Sequence, residues 1–406
     1  MTRTLRASAA AILACAALLA AAATSTAAPA PSASASAATT CTEGRVPTSA
    51  GCVDRAVARR HVEALIQEAM PEMGLRATIV RVQTGTQKLV DAAYGNSMKG
   101  VPARPDMYFR IGSMAIPYLI NLVLELEDEG KLSLNDRLAK YRPNFPDADQ
   151  VTLRMLANST SGYPDWIQGN EAFEDLLLSN PFRQWTANEL LHWSFAQPMI
   201  CAPGTCFHYA HTNFAVLSQV VAKVTGESVA KLMRERLLGP LGLHHTQISR
   251  FPAFPGPALH SYTGVRGVYE DSTFWSPSWT IGNGTVMAAT MKDVVRATRA
   301  LDRGELISAH ANRERIAPTL AHTAPFTPHL YYGLGAQVAD GWQFQNPFLN
   351  GWTGAVGYLP SQDLSVGIVT TQLPSSSASE TNFATVLLGR LSEYLSPASP
   401  IQLPPS

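Results

Sequence analysis

Ser113 is the residue of this chain whose type and surroundings most clearly suggest covalent chemistry. It lies in the segment FRIGSMAI, residues 109–116, just before an apolar stretch that predicts a buried helix. A serine hydroxyl is a weak nucleophile until a neighbouring base accepts its proton. Residues three apart share a helix face, so the side chain at position 116, which is Ile116, would lie beside Ser113 and offers no proton acceptor. The segment predicts a nucleophile without a base at that position; the alternative is that Ser113 only caps the helix.

Two later segments carry other candidate groups. Residues 203–214 read PGTCFHYAHTNF and contain Tyr209 and His211, and residues 351–358 read GWTGAVGY. A histidine near its ordinary pKa of about 6.5 is suited to general-base catalysis. His211 could act as a base if the fold brings it close to Ser113; the alternative is that it only forms local hydrogen bonds.

In their order along the chain, these segments resemble the serine β-lactamase and D-alanyl-D-alanine carboxypeptidase superfamily, most closely the group of class C β-lactamases, D-alanyl-D-alanine carboxypeptidases and related esterases. The resemblance extends over residues 55–396. It includes LSLND (132–136), TSGYPD (160–165), LGPLGL (238–243) and YGLG (332–335). It implies an α/β fold, with an antiparallel sheet built from both chain ends, flanking helices and an inserted, mostly helical subdomain at roughly 117–280. A small molecule or peptide would bind in the cleft between them.

The resemblance also implies roles for residues of the first two segments. Ser113 matches the superfamily's nucleophile, and Ile116 stands where the superfamily has a lysine. Tyr209 matches a proton-relaying tyrosine, whereas His211 stands in place of an asparagine. His211, with Tyr209 as a proton relay, would then be a substitute activating system for Ser113.

The third segment has lost its leading cation. Thr353 and Gly354 match the superfamily motif, but Trp352 replaces a lysine or histidine that helps to hold a substrate carboxylate. The backbone N–H groups of Ser113 and Ala355 match the superfamily's oxyanion hole. We expect Trp352, Thr353 and Gly354 to form an altered substrate pocket, poorly suited to penicillins or D-Ala-D-Ala peptides. The alternative is that Trp352 only packs against other aromatic residues.

These changes leave three hypotheses for function. General-base help is worth about 10² to 10⁴-fold in rate, so an efficient β-lactamase or D,D-carboxypeptidase is not expected. The first hypothesis is a serine hydrolase that acts on an ester or amide with altered activation of Ser113. The second is a catalytically inactive member that binds a cell-wall fragment, metabolite or protein in the cleft. The third is a biosynthetic acyl-transfer or cyclisation enzyme. None of them requires a cofactor or a metal ion.

Composition excludes several other classes of protein. Of 406 residues, 46% are hydrophobic, and 31 basic residues balance 31 acidic ones. No Lys/Arg block indicates a nucleic-acid partner. After the N-terminal region, no apolar run reaches the roughly 18 residues that a membrane-spanning helix needs. We therefore expect no nucleic-acid partner and no membrane span in the mature chain. We also expect the protein to be a monomer.

The N-terminus has the pattern of a secretory signal peptide. Basic residues at positions 3 and 6 precede an Ala/Leu-rich run over 7–23. We expect residues 1–38 to hold this signal and an Ala/Ser/Pro-rich lead-in, with cleavage between 27 and 38 and secretion of the protein. The alternatives are a retained membrane anchor and a lipoprotein signal at Cys15.

Four further cysteines form two close pairs, Cys41 with Cys52 and Cys201 with Cys206. An oxidising compartment permits disulfides, although four cysteines allow three connectivities. A zinc site fits poorly because neither pair has Cys-x-x-Cys spacing. We expect two local disulfides with a mainly structural role.

Apolar periodicity predicts how the rest of the chain is organised. A segment that contains the first cysteine pair (39–54) precedes the main domain (55–396), and a Pro-rich tail (397–406) ends the chain. A helix at 55–70 feeds two strands, and strands return after residue 334 before a last helix. Strands at both ends with helices between them predict a single sheet assembled from both ends of the chain.

Overall fold

The structure is a computed structural model of the chain, and it describes residues 41–282, 284–319 and 326–402. The expected signal peptide and the lead-in up to residue 40 lie outside the described residues, as do the last four residues of the tail. Within the described part, no helix is long and apolar enough to cross a membrane.

The helices are α1 (Arg55–Glu72), α2 (Ile116–Asp128), α3 (Leu153–Ala157), α4 (Glu171–Ser179), α5 (Ala187–Phe195), α6 (His211–Thr225), α7 (Val229–Leu232), α8 (Met291–Asp302), α9 (Ala309–Arg315) and α10 (Phe383–Leu395). Short 3-10 turns lie at Gly112–Ala115, Leu138–Lys140 and Pro360–Gln362, and a π-helical turn lies at Met233–Leu238.

The strands are β1 (Arg45–Thr48), β2 (Gly51–Asp54), β3 (Leu75–Thr84), β4 (Gln87–Met98), β5 (Val101–Pro102), β6 (Phe109–Arg110), β7 (Thr246–Ile248), β8 (Tyr262–Thr263), β9 (Glu270–Asp271), β10 (Met287–Ala289), β11 (Leu330–Tyr332), β12 (Gln337–Ala339), β13 (Trp342–Gln345), β14 (Phe348–Leu349), β15 (Trp352–Leu359) and β16 (Leu364–Gln372).

The main sheet joins strands from both ends of the chain, which confirms the predicted fold class. Its order is β11-β12-β13-β15-β16-β3-β4-β5, with β14 also paired to β15, and neighbouring strands are antiparallel. Successive side chains of a strand point to opposite faces. Ile79 of β3 accordingly joins the core beneath α2 and α8, and Val80 joins the core beneath α1 and α10. Helices therefore cover both faces of the sheet.

Helix α2 fixes the position of the residues just before it. Its sequence is apolar nearly all round, and most of its residues, including Leu119 and Val123, are fully buried against α6, α8 and the π-helical turn. A helix of this kind belongs to the protein core. On the other side, Phe109 of β6 pairs with Ala289 of β10 in a small sheet whose third strand is β7. The Gly112–Ala115 turn is therefore held from both ends.

The segment 251–280, which its composition marks as a loop, contains a short hairpin. Tyr262 pairs with Asp271 and Thr263 with Glu270, forming β8 and β9. Strands of two residues are too short to produce a period-2 pattern, so this hairpin has no sequence signal. Its neighbours Trp275 and Trp279 are both buried.

Two disulfides link the four described cysteines in the expected pairs. Cys41 is bonded to Cys52 and Cys201 to Cys206, with Cα–Cα distances of 5.7 and 6.3 Å. The loop closed by Cys201 and Cys206 packs closely against the segment that precedes α4. The contact leaves no room for a side chain at Gly162, since a Cβ added there would lie 2.1 Å from the carbonyl oxygen of Cys201.

Replacing Cys201 and Cys206 by serine should lower the free energy of unfolding by about 2 kcal/mol, because crosslinking a short loop removes modest entropy from the unfolded chain. Chemical denaturation at neutral pH measures this. The Cys41→Ser/Cys52→Ser variant, whose disulfide lies far along the chain from the helical region, is the control for a general effect of losing a disulfide. An unchanged denaturation midpoint in the Cys201/Cys206 variant would contradict a structural role for that disulfide.

Candidate active site

Ser113 lies in the 3-10 turn in front of α2 and is 8% exposed. Its Oγ atom has no hydrogen-bond partner among the described residues. The N-cap positions of the turn and of α2 belong to Ile111 and Ala115, and neither makes a side-chain capping bond. The capping alternative for Ser113 is therefore wrong, and its hydroxyl has no structural hydrogen bond to maintain.

Ile116 is a core residue and supplies no group that could accept a proton. It is fully buried in the core around α2. The chain packs tightly against it, since a Cβ added at Gly335 would lie 2.9 Å from Cγ2 of Ile116. The surroundings that would hold a lysine at this position are filled by apolar packing.

The structure brings Ser113, Tyr209 and His211 to one cleft. We call it the Ser113 cleft. Trp279 and Phe348 also line it, and its volume, including the mouth open to solvent, is about 460 Å³. Tyr209 lies just before α6 and His211 is the first residue of that helix. Their ring centroids are 5.3 Å apart with the rings nearly perpendicular. Three groups that the sequence singled out from distant segments thus share one cleft.

A buried carboxylate holds His211. Nδ1 of His211 lies 2.8 Å from Oδ2 of Asp165, and the Asp165 side chain is fully buried. Asp165 also accepts hydrogen bonds from the backbone N–H groups of His211, Ile167 and Gln168. An N–H donated by Nδ1 to this carboxylate leaves Nε2 as the proton-accepting nitrogen.

The environment keeps Asp165 ionised. Burial acts to raise the pKa of its carboxyl group, but the charge and hydrogen bond of His211, with the backbone N–H groups of Ile167 and His211, outweigh burial and lower it below its ordinary value. A buried anion beside Nδ1 stabilises the protonated imidazole that forms when Nε2 accepts a proton.

Sequence reasoning missed the role of Asp165. The residue appears in the TSGYPD segment, but it lies 46 positions from His211 and only the fold joins them. Spacing along the chain carries no signal for such a pair. The residue types alone, a carboxylate and a histidine in two segments of the same superfamily, could have suggested it.

The third segment lies outside the Ser113 cleft. Trp352 is 4% exposed, and its Nε1–H donates to the carbonyl oxygen of Leu259 at 3.0 Å. Thr353 Oγ1 lies 2.6 Å from Oγ1 of Thr370 on β16. The structure therefore does not bring Trp352 or Thr353 into contact with the space beside Ser113. Trp352 instead lines an adjoining pocket.

The same holds for Gly354 and Ala355. The backbone N–H of Gly354 donates to the carbonyl oxygen of Pro347 at 2.9 Å. Successive N–H groups of a strand point to opposite sides, so the N–H of Ala355 points toward its partner Ile368 on β16. Residues 347–349 form the wall opposite Ser113 instead. This geometry does not support the predicted oxyanion role of Ala355, because a neighbouring segment occupies that edge of β15.

No group of histidine, cysteine, aspartate and glutamate side chains in the described part of the chain could hold a metal ion. The chemistry available in the cleft is that of the hydroxyl of Ser113, the phenol of Tyr209 and the imidazole of His211.

The fold and the serine at the head of its buried helix define a protein of the serine hydrolase type. The chain belongs to the Beta-lactamase family, whose family model matches residues 62–390. This confirms the superfamily to which the sequence segments pointed.

Known relatives and structures agree with this membership. The chain is 22% identical over 304 residues to penicillin-binding protein 4* of Bacillus subtilis (strain 168), covering 71% of this chain and 64% of that protein. It is 32% identical over 215 residues to penicillin-binding protein 4 of Amycolatopsis lactamdurans, covering 50% and 54% of the two. The chain thus spans less than two thirds of these relatives.

Among solved structures, a D-stereospecific amidohydrolase from Streptomyces sp. superimposes with a TM-score of 0.69 at 23% identity, covering 82% of this chain and 99% of that chain. A likeness at this identity concerns the fold, and it confirms the arrangement of sheet and helices described above.

Proposed function

We propose that this protein is an exported serine hydrolase that forms an acyl-enzyme at Ser113 from an ester or amide, with His211, oriented by Asp165, as the general base. The observation that carries the proposal is the 2.8 Å contact between Nδ1 of His211 and the buried carboxylate of Asp165, on the cleft that holds Ser113. This contact gives the imidazole an orienting acceptor, the second requirement of an activated serine after the base itself.

The proposed reaction has two halves. Oγ of Ser113 attacks the substrate carbonyl carbon while Nε2 of His211 accepts the hydroxyl proton, and the protonated imidazole then gives that proton to the leaving alcohol or amine. Water attacks the resulting ester with the same base, which releases the acid and restores Ser113. Asp165 keeps the imidazole in the required tautomer throughout. Tyr209 lines the same cleft, and we assign it to relay the proton to the leaving group.

Ser113 Oγ makes no hydrogen bond to a described residue, so His211 does not engage it in this conformation. Catalytic hydrogen bonds are often long without substrate and tighten when the substrate binds. The proposal therefore requires the two side chains to approach each other across the cleft on binding.

The proteins that this chain resembles support the proposed substrate class. The amidohydrolase neighbour and the penicillin-binding relatives support acyl transfer from an amide or ester. Trp352 in place of a cation argues against recognition of penicillin at that motif. The two disulfides support export, because such bonds persist in oxidising compartments.

One observation favours a second candidate, a binding protein without catalysis. Pro347 accepts the hydrogen bond of Gly354 and closes the edge of β15 that would otherwise face Ser113. A site that lacks this oxyanion donor would bind a ligand without stabilising the charge of a tetrahedral intermediate.

Covalent labelling separates the two candidates. Purified protein is treated with a fluorophosphonate probe and, separately, with a fluorescent penicillin, and the labelled peptide is identified by mass spectrometry. The hydrolase proposal predicts fluorophosphonate on Ser113, no labelling of Ser113→Ala, and little penicillin adduct. A parent protein that the probe leaves unmodified would favour the binding protein instead.

A further inference from the structure

A second pocket adjoins the Ser113 cleft and has no role in the proposed reaction. Trp275, Trp279 and Trp352 form its walls together with Arg110 of β6, and it shares Gly112 with the Ser113 cleft. We call it the indole pocket. Its volume, including the mouth open to solvent, is about 390 Å³, and no aspartate or glutamate lines it.

Arg110, which lines this pocket, has no carboxylate partner among the described residues. The residue is 4% exposed, and within the described part of the chain its guanidinium donates to the backbone carbonyl oxygens of Ser249, Phe251 and Ala253. Its Nε–H is buried and has no acceptor among the described residues. Burial lowers the pKa of the guanidinium to about 10, which leaves it charged at neutral pH. Buried cations normally have an anionic partner.

The pocket offers more hydrogen-bond donors than its own residues use. The indole N–H groups of Trp275 and Trp279 make no hydrogen bond to another described residue, whereas the indole N–H of Trp352 donates to the carbonyl oxygen of Leu259. The hydroxyl of Thr280 is directed at the carbonyl oxygen of Pro277. The residues that line the pocket thus include two indole N–H groups and a cation that have no anionic partner among the described residues.

A contiguous aromatic surface leads to the indole pocket. Phe274 is 47% exposed, and its ring contacts that of Phe254, which in turn contacts Trp352. The Arg110 guanidinium lies 4.5 Å from the centre of the Phe254 ring. Exposed aromatic side chains beside a pocket favour entry of an apolar, planar group.

We propose that the indole pocket binds a carboxylate carried on a planar aromatic group, with Arg110 as its charged partner and the tryptophan rings as its walls. The assignment of this group to the substrate of Ser113 rests on the proposed function, whereas the binding itself does not. Gly112 lies on both cavities, so the bound group belongs to the part of the substrate next to the bond that is cleaved.

Binding is tested with a matched pair of probes, 4-methylbenzoate and 4-methylbenzamide, which have similar shape and differ in charge. Ser113→Ala protein is titrated by calorimetry so that no turnover interferes. Arg110 also holds the loop at 249–253, so its charge is better cancelled in place than removed. Ser276→Asp puts a carboxylate into the pocket lining, and Ser276→Asn is its uncharged control.

The proposal predicts that benzoate binds at least tenfold more tightly than benzamide, that Ser276→Asn keeps this preference and that Ser276→Asp abolishes it. Equal affinity for the two probes, no binding of either, or a preference that survives Ser276→Asp in folded protein would overturn it. Trp275→Phe gives an independent reading, because it keeps an aromatic wall and removes one N–H. Benzoate should then bind severalfold more weakly and lose more affinity than benzamide, because a hydrogen bond to a charged acceptor is the stronger one.

The outcome is distinguishable from failure of the proposed function. The fluorophosphonate probe carries no carboxylate, so its reaction with Ser113 in the parent protein reports on the nucleophile alone. Benzoate binding without labelling would keep the indole pocket and remove the hydrolase; labelling without a benzoate preference would do the reverse.

Discussion

Replacing His211 by glutamine should slow the reaction of Ser113 with a fluorophosphonate by about 10² to 10⁴-fold, the usual worth of a general base. The reason is that Ile116 offers no proton acceptor and His211 is the histidine that shares the Ser113 cleft. Glutamine keeps the size and polarity of the side chain without a titrating nitrogen. The second-order labelling rate at neutral pH, followed by intact-protein mass spectrometry, measures the effect.

His208→Gln is the matched control. This histidine lies three residues earlier in the same segment and does not line the Ser113 cleft. Its replacement should leave the labelling rate within about twofold of the parent, as for a residue outside the catalytic unit. If the His211 variant reacts as fast as the His208 variant, His211 is not the base.

Asp165→Asn should cost nearly as much in rate. An asparagine amide can turn its N–H toward Nδ1 of His211, which would leave the proton on Nε2 and remove the acceptor that Ser113 needs. We expect a loss of about 10² to 10⁴-fold in kcat/KM with a chromogenic ester, because the base is then held in the wrong tautomer. An Asp165→Asn protein of parental activity would show that the carboxylate does not orient the base.

Asp165 also links stability to pH. Its pKa is lowered in the folded protein, so the ionised carboxylate stabilises the fold above the unfolded-state pKa of about 3.9. This contribution is lost as the pH falls through the lowered native pKa. The parent should therefore lose more stability than Asp165→Asn between neutral pH and pH values below about 4. Denaturant midpoints at several pH values measure the difference.

Asp165→Ala separates orientation from folding. It leaves the backbone N–H groups of Ile167 and Gln168 without their buried acceptor, which costs about 1 to 3 kcal/mol for each unsatisfied group. Asparagine keeps an oxygen for them. A thermal shift that is much larger in Asp165→Ala than in Asp165→Asn, with activity low in both, is the expected pattern.

Much of the fold was predictable because the signals are local. Helix α1, the strands β3 and β4 and the buried helix α2 each follow from a periodic run of apolar residues within one segment. Strands at both ends of the chain, with helices between them, then predicted one sheet built from both ends. The cysteine pairs were predictable for the same reason, since each lies within one short stretch.

The parts of the site that were not predictable depend on contacts between distant segments. The pair of Asp165 and His211 forms only when the segment before α4 meets the start of α6. The wall at 347–349 pairs with β15 and separates it from Ser113. The periodic pattern of apolar residues in a sequence does not show which segment covers the edge of a strand. The resemblance to the superfamily implied an oxyanion role for Ala355, and that role requires this edge of β15 to be open toward Ser113.

The most direct test of the central claim, that Ser113 and His211 act as one unit, is a double-mutant cycle on ester hydrolysis. Values of kcat/KM are measured for the parent, Ser113→Ala, His211→Gln and the double variant. Residues that act as a unit fail together, so we expect the double variant to be about as slow as either single variant. Losses that multiply, or a His211→Gln protein as active as the parent, would contradict it.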